Sequence, residues 1–355
     1  MMDTAMQISE MRRQENFLRP FLLALRAESV RYCILHSYEG LPVYSESDVD
    51  MALHGISREQ FEDLLQRVAR EAGWEVVQRL WYDVPTCFYY MVRSLSDPGA
   101  WVAVDILLDP EGIGRYGFDT ELLTRDAVAH GIFFHSNPSV EFCYKLTKRI
   151  RKGHFKSGDP ITLNTLYRDA DKPLVRRVLS QHYGVWGARR IMAVFERTGG
   201  VGDDLPEMRI LSLAQLLKRR YLAIPRLLKR LVWQARRMWN RVTEPAGLVL
   251  RVPRNSEMEL QQFAQTLWEQ IGPAFRRLRV DSRGSLWRRF AALSSSTLLV
   301  CADAPGPGAP RLQRSLFAPV QKSDGIAASV DQGVLDVLRS RMARRLHTPA
   351  EGIER

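Results

Sequence analysis

The feature that most constrains this sequence is a set of three acidic residues inside segments that otherwise have the pattern of buried β-strands. Asp48 and Asp50 alternate with apolar residues, and residues two apart on a strand point to the same face. Asp105 lies within a second apolar run, 101–108. Adjacent carboxylates inside a sheet repel each other unless a cation lies between them. The pattern therefore predicts a site for Mg²⁺ or Mn²⁺, since such hard ions take carboxylate and phosphate oxygens together.

The segments around these acids predict a mixed α/β unit over the first 110 residues. Ser57 and Gln60 have the spacing of a capping box, so a helix is predicted to begin there and to stop at Gly73. Asp109, next to Pro110, is predicted to form a turn. The predicted helices cover 6–28 and 57–72, and the predicted strands cover 31–38, 48–53, 74–81, 86–92 and 101–108.

Beyond residue 138 the pattern predicts a helical middle region and then a small α/β unit. The predicted helices of the middle region cover 139–152, 172–182, 187–198 and 212–241, the last one broken at Pro225. The later unit has predicted strands at 247–252 and 296–302 and predicted helices at 258–271 and 331–345. The fold class is therefore α+β/mixed, with predicted domains at 1–160, 161–244 and 245–347 and a tail at 348–355.

The composition favours a polyanionic partner and a reducing compartment. The formal net charge is +11, which suits nucleotide phosphate, nucleic acid or anionic lipid without choosing among them. The four cysteines are far apart, which argues against a zinc site or a disulfide framework. No secretory signal is evident, and no apolar run approaches the roughly 20 residues that span a bilayer. The prediction is a cytoplasmic protein that can lie at the inner face of the membrane.

The order of these segments resembles the nucleotidyltransferase superfamily, which has the DNA polymerase beta-like fold. Its motif is a strand ending in Gly-Gly or Gly-Ser, then Asp-x-Asp, then a carboxylate on a later strand. The resemblance implies that Asp48 and Asp50 are the metal pair, that Asp105 is the third acid and that Ser37 supplies a hydroxyl to phosphate. The chain departs from the motif at His36, where the family has glycine. That histidine crowds the backbone approach to phosphate, contacts phosphate itself, or is structural.

A narrower resemblance covers roughly residues 15–155. Leu35-His-Ser-Tyr-Glu-Gly-Leu-Pro42 before the Asp-x-Asp is similar to a bacterial group often encoded with exopolysaccharide or capsule biosynthesis. Some members continue into a thymidylate-kinase-like P-loop domain. In this chain Pro253-Arg-Asn-Ser-Glu-Met-Glu259 follows the predicted strand, without the glycines or the lysine of a P-loop. The C-terminal part is therefore predicted to be a degenerate P-loop-like unit that does not bind ATP in the usual way.

Two basic helices are candidates for binding anions. Within 139–152, four cations recur on one face, and this face either neutralises a triphosphate or is simply solvated. Those cations are Lys145, Lys148, Arg149 and Lys152. The stretch 212–241 has nine cations and no acid, interleaved with leucine and tryptophan. It fits an interfacial membrane helix, a helix that binds RNA or a partner protein, or a helix whose apolar face is core.

Three classes of function are consistent with these patterns. The first is an Mg²⁺-dependent nucleotidyltransferase that moves a nucleoside monophosphate from a nucleoside triphosphate (NTP) to an unknown acceptor, with His36, Ser37, Lys145 and Lys148 contacting the nucleotide. The second is a non-catalytic scaffold or regulator of polysaccharide assembly. The third is a metal-dependent glycosyltransferase, which the 47 residues before Asp48 disfavour, since that motif follows a complete nucleotide-binding half. We predict the first, with Asp105 helping to deprotonate an acceptor hydroxyl.

Overall fold

The computed structural model describes residues 2–45, 47–83, 86–97, 99–114, 116–198, 210, 224–243, 247–252, 257–275, 277–281, 297–302, 317–319 and 340. The helices are α1 Met2–Ala27, α2 Arg58–Glu71, α3 Thr120–Thr124, α4 Pro138–Lys152, α5 Asp159–Asp169, α6 Lys172–Thr198, α7 Ile224–Thr243 and α8 Glu257–Ile271, followed by a 3₁₀ turn at Gly272–Ala274. The strands are β1 Arg31–Ile34, β2 Val49–His54, β3 Trp74–Asp83, β4 Cys87–Ser94, β5 Trp101–Leu107, β6 Val128–His130, β7 Phe133–His135, β8 Leu248–Val252, β9 Arg277–Asp281, β10 Thr297–Ala302 and β11 Phe317–Pro319.

Where local signals are strong, the elements match the sequence prediction. The backbone N–H of Ser57 donates to the side chain of Gln60, and the backbone N–H of Gln60 donates to the Ser57 hydroxyl, so the capping box is confirmed. Gly73 follows α2 with a φ of 74°, a left-handed conformation that glycine adopts without strain. The two helices predicted within 172–198 are present as α6, which Gly184 interrupts with non-helical angles.

Other elements differ from the prediction or were not foreseen. β1 ends at Ile34, four residues earlier than predicted, since Ser37 adopts a φ of 58° and turns the chain away. The elements that the sequence reading missed are α3, α5, β6, β7, β9 and β11. The predicted helix 331–345 and the first part of 212–241 lie outside the described residues, apart from 340.

Seven strands form a mixed sheet in the order β3-β4-β5-β2-β1-β7-β6. β1 pairs antiparallel with β2, which sets Ile34 opposite Met51, and parallel with β7, which sets Ile34 opposite His135. The ladder extends past β1, because the backbone N–H of Leu35 donates to the carbonyl oxygen of Asp50 at 2.9 Å. The segment that follows β1 is therefore held beside the acidic end of β2.

Helix α4 is the central helix of the core that packs with β1, α5 and α6. Asn137 caps its first turn by accepting from the backbone N–H of Ser139 at 2.9 Å, and Pro138 occupies the first helical position. Gly153 ends the helix with a φ of 79°. The buried residues of α4 include Phe142, Cys143, Leu146 and Ile150. Because these apolar residues fix the rotation of the helix, its basic residues point in defined directions.

The chain divides into two compact units. The first comprises Met1–Leu64, Asp83–Cys87 and Asp105–Ala235, and the second comprises Leu65–Tyr82, Phe88–Val104 and Arg236–Arg355. The second unit contains a four-stranded sheet in the order β11-β8-β10-β9, in which each neighbouring pair is parallel. Its core combines residues of β3, β4 and β5 with α8 and β10. A parallel sheet beside a helix is the α/β arrangement expected for the C-terminal part, whereas its kinship with a P-loop unit stays a prediction.

Two further predictions concern the cysteines and membrane spans. All four cysteines are buried free thiols. Burial raises the pKa of Cys33 to about 12 and that of Cys143 still further, so both thiols stay protonated. Among the described residues, no helix is both long and apolar enough to cross a bilayer.

Candidate functional site

The three predicted acids lie together in the first unit. Asp50 is in β2, Asp48 immediately precedes that strand, and Asp105 is in β5. One carboxylate oxygen from each of the three lies within 4.8 Å of the others. Asp50 is only 8% exposed and Asp105 only 7%, while Asp48 is half-buried. Two buried carboxylates and a third, half-buried one thus form a cluster of negative charge beside the segment that follows β1.

His36 lies directly against this cluster. Its Nε2 atom is 2.8 Å from Oδ2 of Asp50, and its Nδ1 atom is 3.1 Å from the hydroxyl of Ser37. Ser37 has a φ of 58°, a left-handed conformation that is uncommon for residues other than glycine. Ser37 is also the residue that the sequence resemblance predicts to contact phosphate. The turn directs His36 towards Asp50 and keeps the Ser37 hydroxyl beside the imidazole.

Lys148 of α4 completes a cluster of three charged or titratable groups. Its Nζ atom is 3.5 Å from Oδ2 of Asp50 and 2.7 Å from Nε2 of His36. A ring nitrogen either donates a proton or accepts one, never both. If Nε2 carries a proton it donates to Asp50, and if it does not it accepts from the Lys148 ammonium. In either state Asp50 faces at least one N–H donor and one full positive charge.

The electrostatics of Asp50 follow from this arrangement. Burial by itself would raise the pKa of Asp50, because a charged carboxylate loses its hydration. The electrostatic attraction and hydrogen bonds of His36 and Lys148 outweigh burial and hold the pKa of Asp50 below its ordinary value. Asp50 is therefore ionised throughout the physiological range and available as an oxygen ligand.

The other cations of α4 do not share the position of Lys148. Nε of Arg149 lies 2.6 Å from Oδ2 of Asp159, a buried ion pair that joins α4 to α5. Lys145 is half-buried, and this burial lowers its pKa. The negative charges of Asp159 and Glu141 act in the opposite direction but do not outweigh burial. Lys152 is exposed. The basic face predicted from helical spacing is thus divided between a site residue, a structural ion pair and solvent.

Two site features escaped the sequence reading. The ring of Tyr144, one turn before Lys148, lies 5.8 Å from the Lys148 ammonium. Burial raises the pKa of Tyr144 well above its ordinary value, and the charges of Asp50 and Asp105 raise it further. Tyr144 and Lys148 are four residues apart on α4, and this spacing is the sequence signal that could have placed Tyr144 near the site. The buried Tyr144 is therefore part of the electrostatic environment of both acids.

The second feature is Glu141, a buried glutamate that contacts Tyr38, the residue after Ser37. The hydroxyl of Tyr38 donates to Oε2 of Glu141 at 3.2 Å, and the Tyr38 ring stacks on His135 with centroids 4.7 Å apart. Nδ1 of His135 is 3.8 Å from the same carboxylate oxygen. Burial and then the charge of Glu141 raise the pKa of Tyr38. This contact anchors the turn after β1, and no sequence pattern identified it, since β7 was not predicted.

The donor chemistry of the three acids fits a divalent cation. All the offered ligand atoms are carboxylate oxygens, which suit Mg²⁺ or Mn²⁺ better than soft metals. Three carboxylates face one lysine and one histidine, so negative charge is in excess even when His36 is protonated. With Asp50, the residues that would hold the ion are Asp48 and Asp105, whose carboxylate oxygens lie within 4.8 Å of it and of each other.

Comparison with known proteins does not identify a family for this chain. No protein-family model matches the chain, and no curated protein is similar enough to it to count as a relative.

Proposed function

We propose that this protein is an Mg²⁺-dependent nucleotidyltransferase that transfers a nucleoside monophosphate from an NTP to an acceptor hydroxyl. The observation that carries the proposal is the meeting of Asp48, Asp50 and Asp105, each offering an oxygen within 4.8 Å of the others. A buried cluster of like charges is costly to fold, so its assembly on the neighbouring interior strands β2 and β5 favours a bound cation. The sequence resemblance supports the same chemistry and a nucleotidyltransferase-type fold for this part of the chain.

The residues at the site divide the work as follows. Asp48, Asp50 and Asp105 hold the divalent ion, which when bound neutralises the charge of the phosphate oxygens and of the leaving pyrophosphate. The Lys148 ammonium supplies positive charge beside Asp50, and the His36 imidazole next to it contacts phosphate. The Ser37 hydroxyl also donates to phosphate. Lys145 is proposed to add charge farther out. These groups act chiefly by positioning and neutralising the triphosphate.

The proposed reaction balances with these groups. The acceptor oxygen bonds to the α-phosphorus, the bond from that phosphorus to the oxygen bridging to the β-phosphorus breaks, and pyrophosphate leaves with that oxygen. Asp105 takes the proton of the acceptor hydroxyl. The acceptor is proposed to be a sugar phosphate, protein or nucleic acid, and the resemblance points to bacterial exopolysaccharide or capsule biosynthesis as the setting.

A non-catalytic role is the second candidate, and one observation favours it. His36 and Lys148 already contact Oδ2 of Asp50 at 2.8 and 3.5 Å, so that carboxylate has counter-charges of its own. If the Lys148 ammonium and the His36 imidazole take the place of a metal, the site would have a structural role in a scaffold or regulator of polysaccharide assembly. A degenerate P-loop-like unit in the C-terminal part would suit the same role.

The test is incubation of the full chain with each α-labelled NTP and Mg²⁺ or Mn²⁺, with cell extract as the acceptor source. We expect pyrophosphate release and transfer of label, both abolished in Asp48→Asn/Asp50→Asn. The matched control is Asp63→Asn, an exposed aspartate on α2, which should keep full activity. If no NTP reacts and none binds in a metal-dependent way, the enzyme proposal is wrong and the scaffold proposal replaces it.

A further inference from the structure

Helix α7 has two chemically distinct faces. Its 20 residues contain six Lys or Arg and no acid. Except for Trp233, the large apolar residues recur at intervals of three, four, seven and eight, which places them on one side of the helix. They are Ile224, Leu227, Leu228, Leu231, Val232, Met238 and Trp239. The basic residues, Trp233 and Asn240 lie on the opposite side.

The apolar face, not the basic face, is turned to solvent. Trp239 is 70% exposed, Met238 66% and Ile224 63%. Leu228, Leu231 and Val232 are each more than half exposed as well. A helix at the surface of a globular protein normally shows the reverse arrangement. The interpretation of α7 as a helix whose apolar face is core is therefore wrong for these residues.

The basic face holds α7 to the rest of the protein. In the first unit, a lysine and an arginine of this face contact the loop after β5, and in the second unit an arginine contacts the end of β3. The contacts are Lys229 with the carboxylate of Glu111, Arg230 with the carbonyl oxygen of Ile113 at 2.7 Å, and Arg241 with the carbonyl oxygen of Trp81 at 3.4 Å. Because the cations are used in this way, the outward-facing surface is the apolar one, flanked by Lys229 and Arg236, which are both partly exposed.

We propose that α7 binds the surface of an anionic lipid bilayer and lies in its plane. A helix of this length extends about 30 Å, and its exposed stripe contains tryptophan, methionine, leucine and valine, which enter the boundary between headgroups and acyl chains. The flanking cations meet anionic headgroups while their apolar stems lie along the stripe. The net charge of +11 adds a long-range attraction to the same surface.

Charge is the reason to choose lipid over other partners. RNA would need the cations outward, whereas they are directed largely towards the protein. A protein partner would also cover the apolar stripe, but the stripe itself contains no polar side chain that would give such a partner specificity. An anionic bilayer satisfies both the apolar face and the flanking positive charge. Because none of the described helices can span a bilayer, the proposed attachment is peripheral.

The experiment is flotation of the full chain with vesicles of phosphatidylcholine alone and with vesicles that contain phosphatidylglycerol. The test variant is Leu231→Ser/Trp239→Ser, which changes two exposed side chains of the stripe. The matched control is Ile161→Ser/Trp186→Ser, since those side chains are 73% and 58% exposed in α5 and α6. Both variants should fold, because neither alters a buried residue.

We expect binding to anionic vesicles that weakens with salt, and a drop in affinity of at least about tenfold in the stripe variant but not in the control. Equal binding by both variants, or no preference for phosphatidylglycerol, would overturn the proposal. So would self-association of the unmodified chain, measured by light scattering, that only the stripe variant abolishes, because the stripe would then be covered by a second copy.

Discussion

At the scale of single residues, two buried aspartates show how neighbours decide ionisation. Asp50 and Asp109 are both removed from water, which disfavours a charged carboxylate. The Lys148 ammonium and the His36 imidazole lie against Asp50, and its pKa is lowered. Asp109 accepts from backbone groups of the described residues, with the N–H groups of Ile113 and Gly114 at 3.1 and 2.6 Å. Burial outweighs these bonds and raises the pKa of Asp109 to about 6.

Asp109 should therefore destabilise the protein as pH rises through weakly acidic values. Its folded pKa exceeds that of an unfolded aspartate, about 3.9, so its stabilising effect is complete below that value and is lost as pH rises to about 6. Relative to Asp109→Asn, the free energy of unfolding of the unmodified protein should fall by up to about 1.4 kcal/mol per pH unit in that window. Denaturant unfolding of both proteins between these pH values measures the difference.

A difference that is flat across the window would contradict this expectation. The opposite sign is expected for Asp50, whose folded pKa is lowered. Its contribution to stability is present above the ordinary aspartate pKa and is lost as pH falls below it. The two residues can thus be distinguished by the direction of the pH effect alone.

At the scale of elements, α4 is the helix that connects the core to the candidate site. Its buried face packs with α5 and α6, and the same rotation directs Lys148 to Asp50 and Arg149 to Asp159. The start and end of the helix are defined by Asn137 and Gly153. Any shift at the N-terminus of α4 would move the site and the core together.

Removing the cap of α4 should lower stability measurably. In Asn137→Ala, the backbone N–H of Ser139 loses its side-chain acceptor, and we expect the free energy of unfolding to fall by about 1 kcal/mol. Asn137→Asp is the matched control, because aspartate caps equally well and adds a favourable charge at the helix N-terminus. Urea unfolding compares the three proteins, and equal loss in both variants would show that the cap contributes nothing.

At the scale of the whole molecule, the chain combines an acidic pocket with an excess of positive charge. The first unit holds the three acids, and the chain as a whole carries a net charge of +11. Under the proposed function, a divalent ion at the acids binds only the folded protein, since Asp105 is far in sequence from Asp48 and Asp50. Metal binding should therefore appear as increased stability of the fold.

Mg²⁺ or Mn²⁺ should raise the midpoint of thermal unfolding by several degrees. At a metal concentration one hundred times the dissociation constant, the expected stabilisation is about 2.7 kcal/mol. Chelation with EDTA should reverse the shift, and Asp48→Asn/Asp50→Asn should remove the response while Asp63→Asn retains it. Scanning calorimetry with and without metal measures the effect. The same shift in both variants would place the ion elsewhere and contradict the proposed metal centre.

The sequence by itself determined the features that depend on residues a few positions apart. The capping box of Ser57 and Gln60, the break near Gly184 and most strands of the large sheet follow from local hydrogen bonding and periodicity, which the unfolded chain already encodes. The acids were identifiable because a charged residue inside an apolar strand is rare without a partner. Mixed α/β architecture followed from the same patterns, whereas the nucleotidyltransferase-type fold and the domain boundaries stay predictions.

Only the tertiary structure decided which distant groups meet. β7 pairs with β1, and His36 lies against Asp50, through contacts between segments far apart in the chain. That Lys148 reaches the same carboxylate depends on how α4 is rotated by its buried residues. The outward apolar face of α7 depends likewise on contacts made by its cations. Such choices are set by packing across the whole molecule, in which many weak interactions compete. No window of neighbouring residues contains that information.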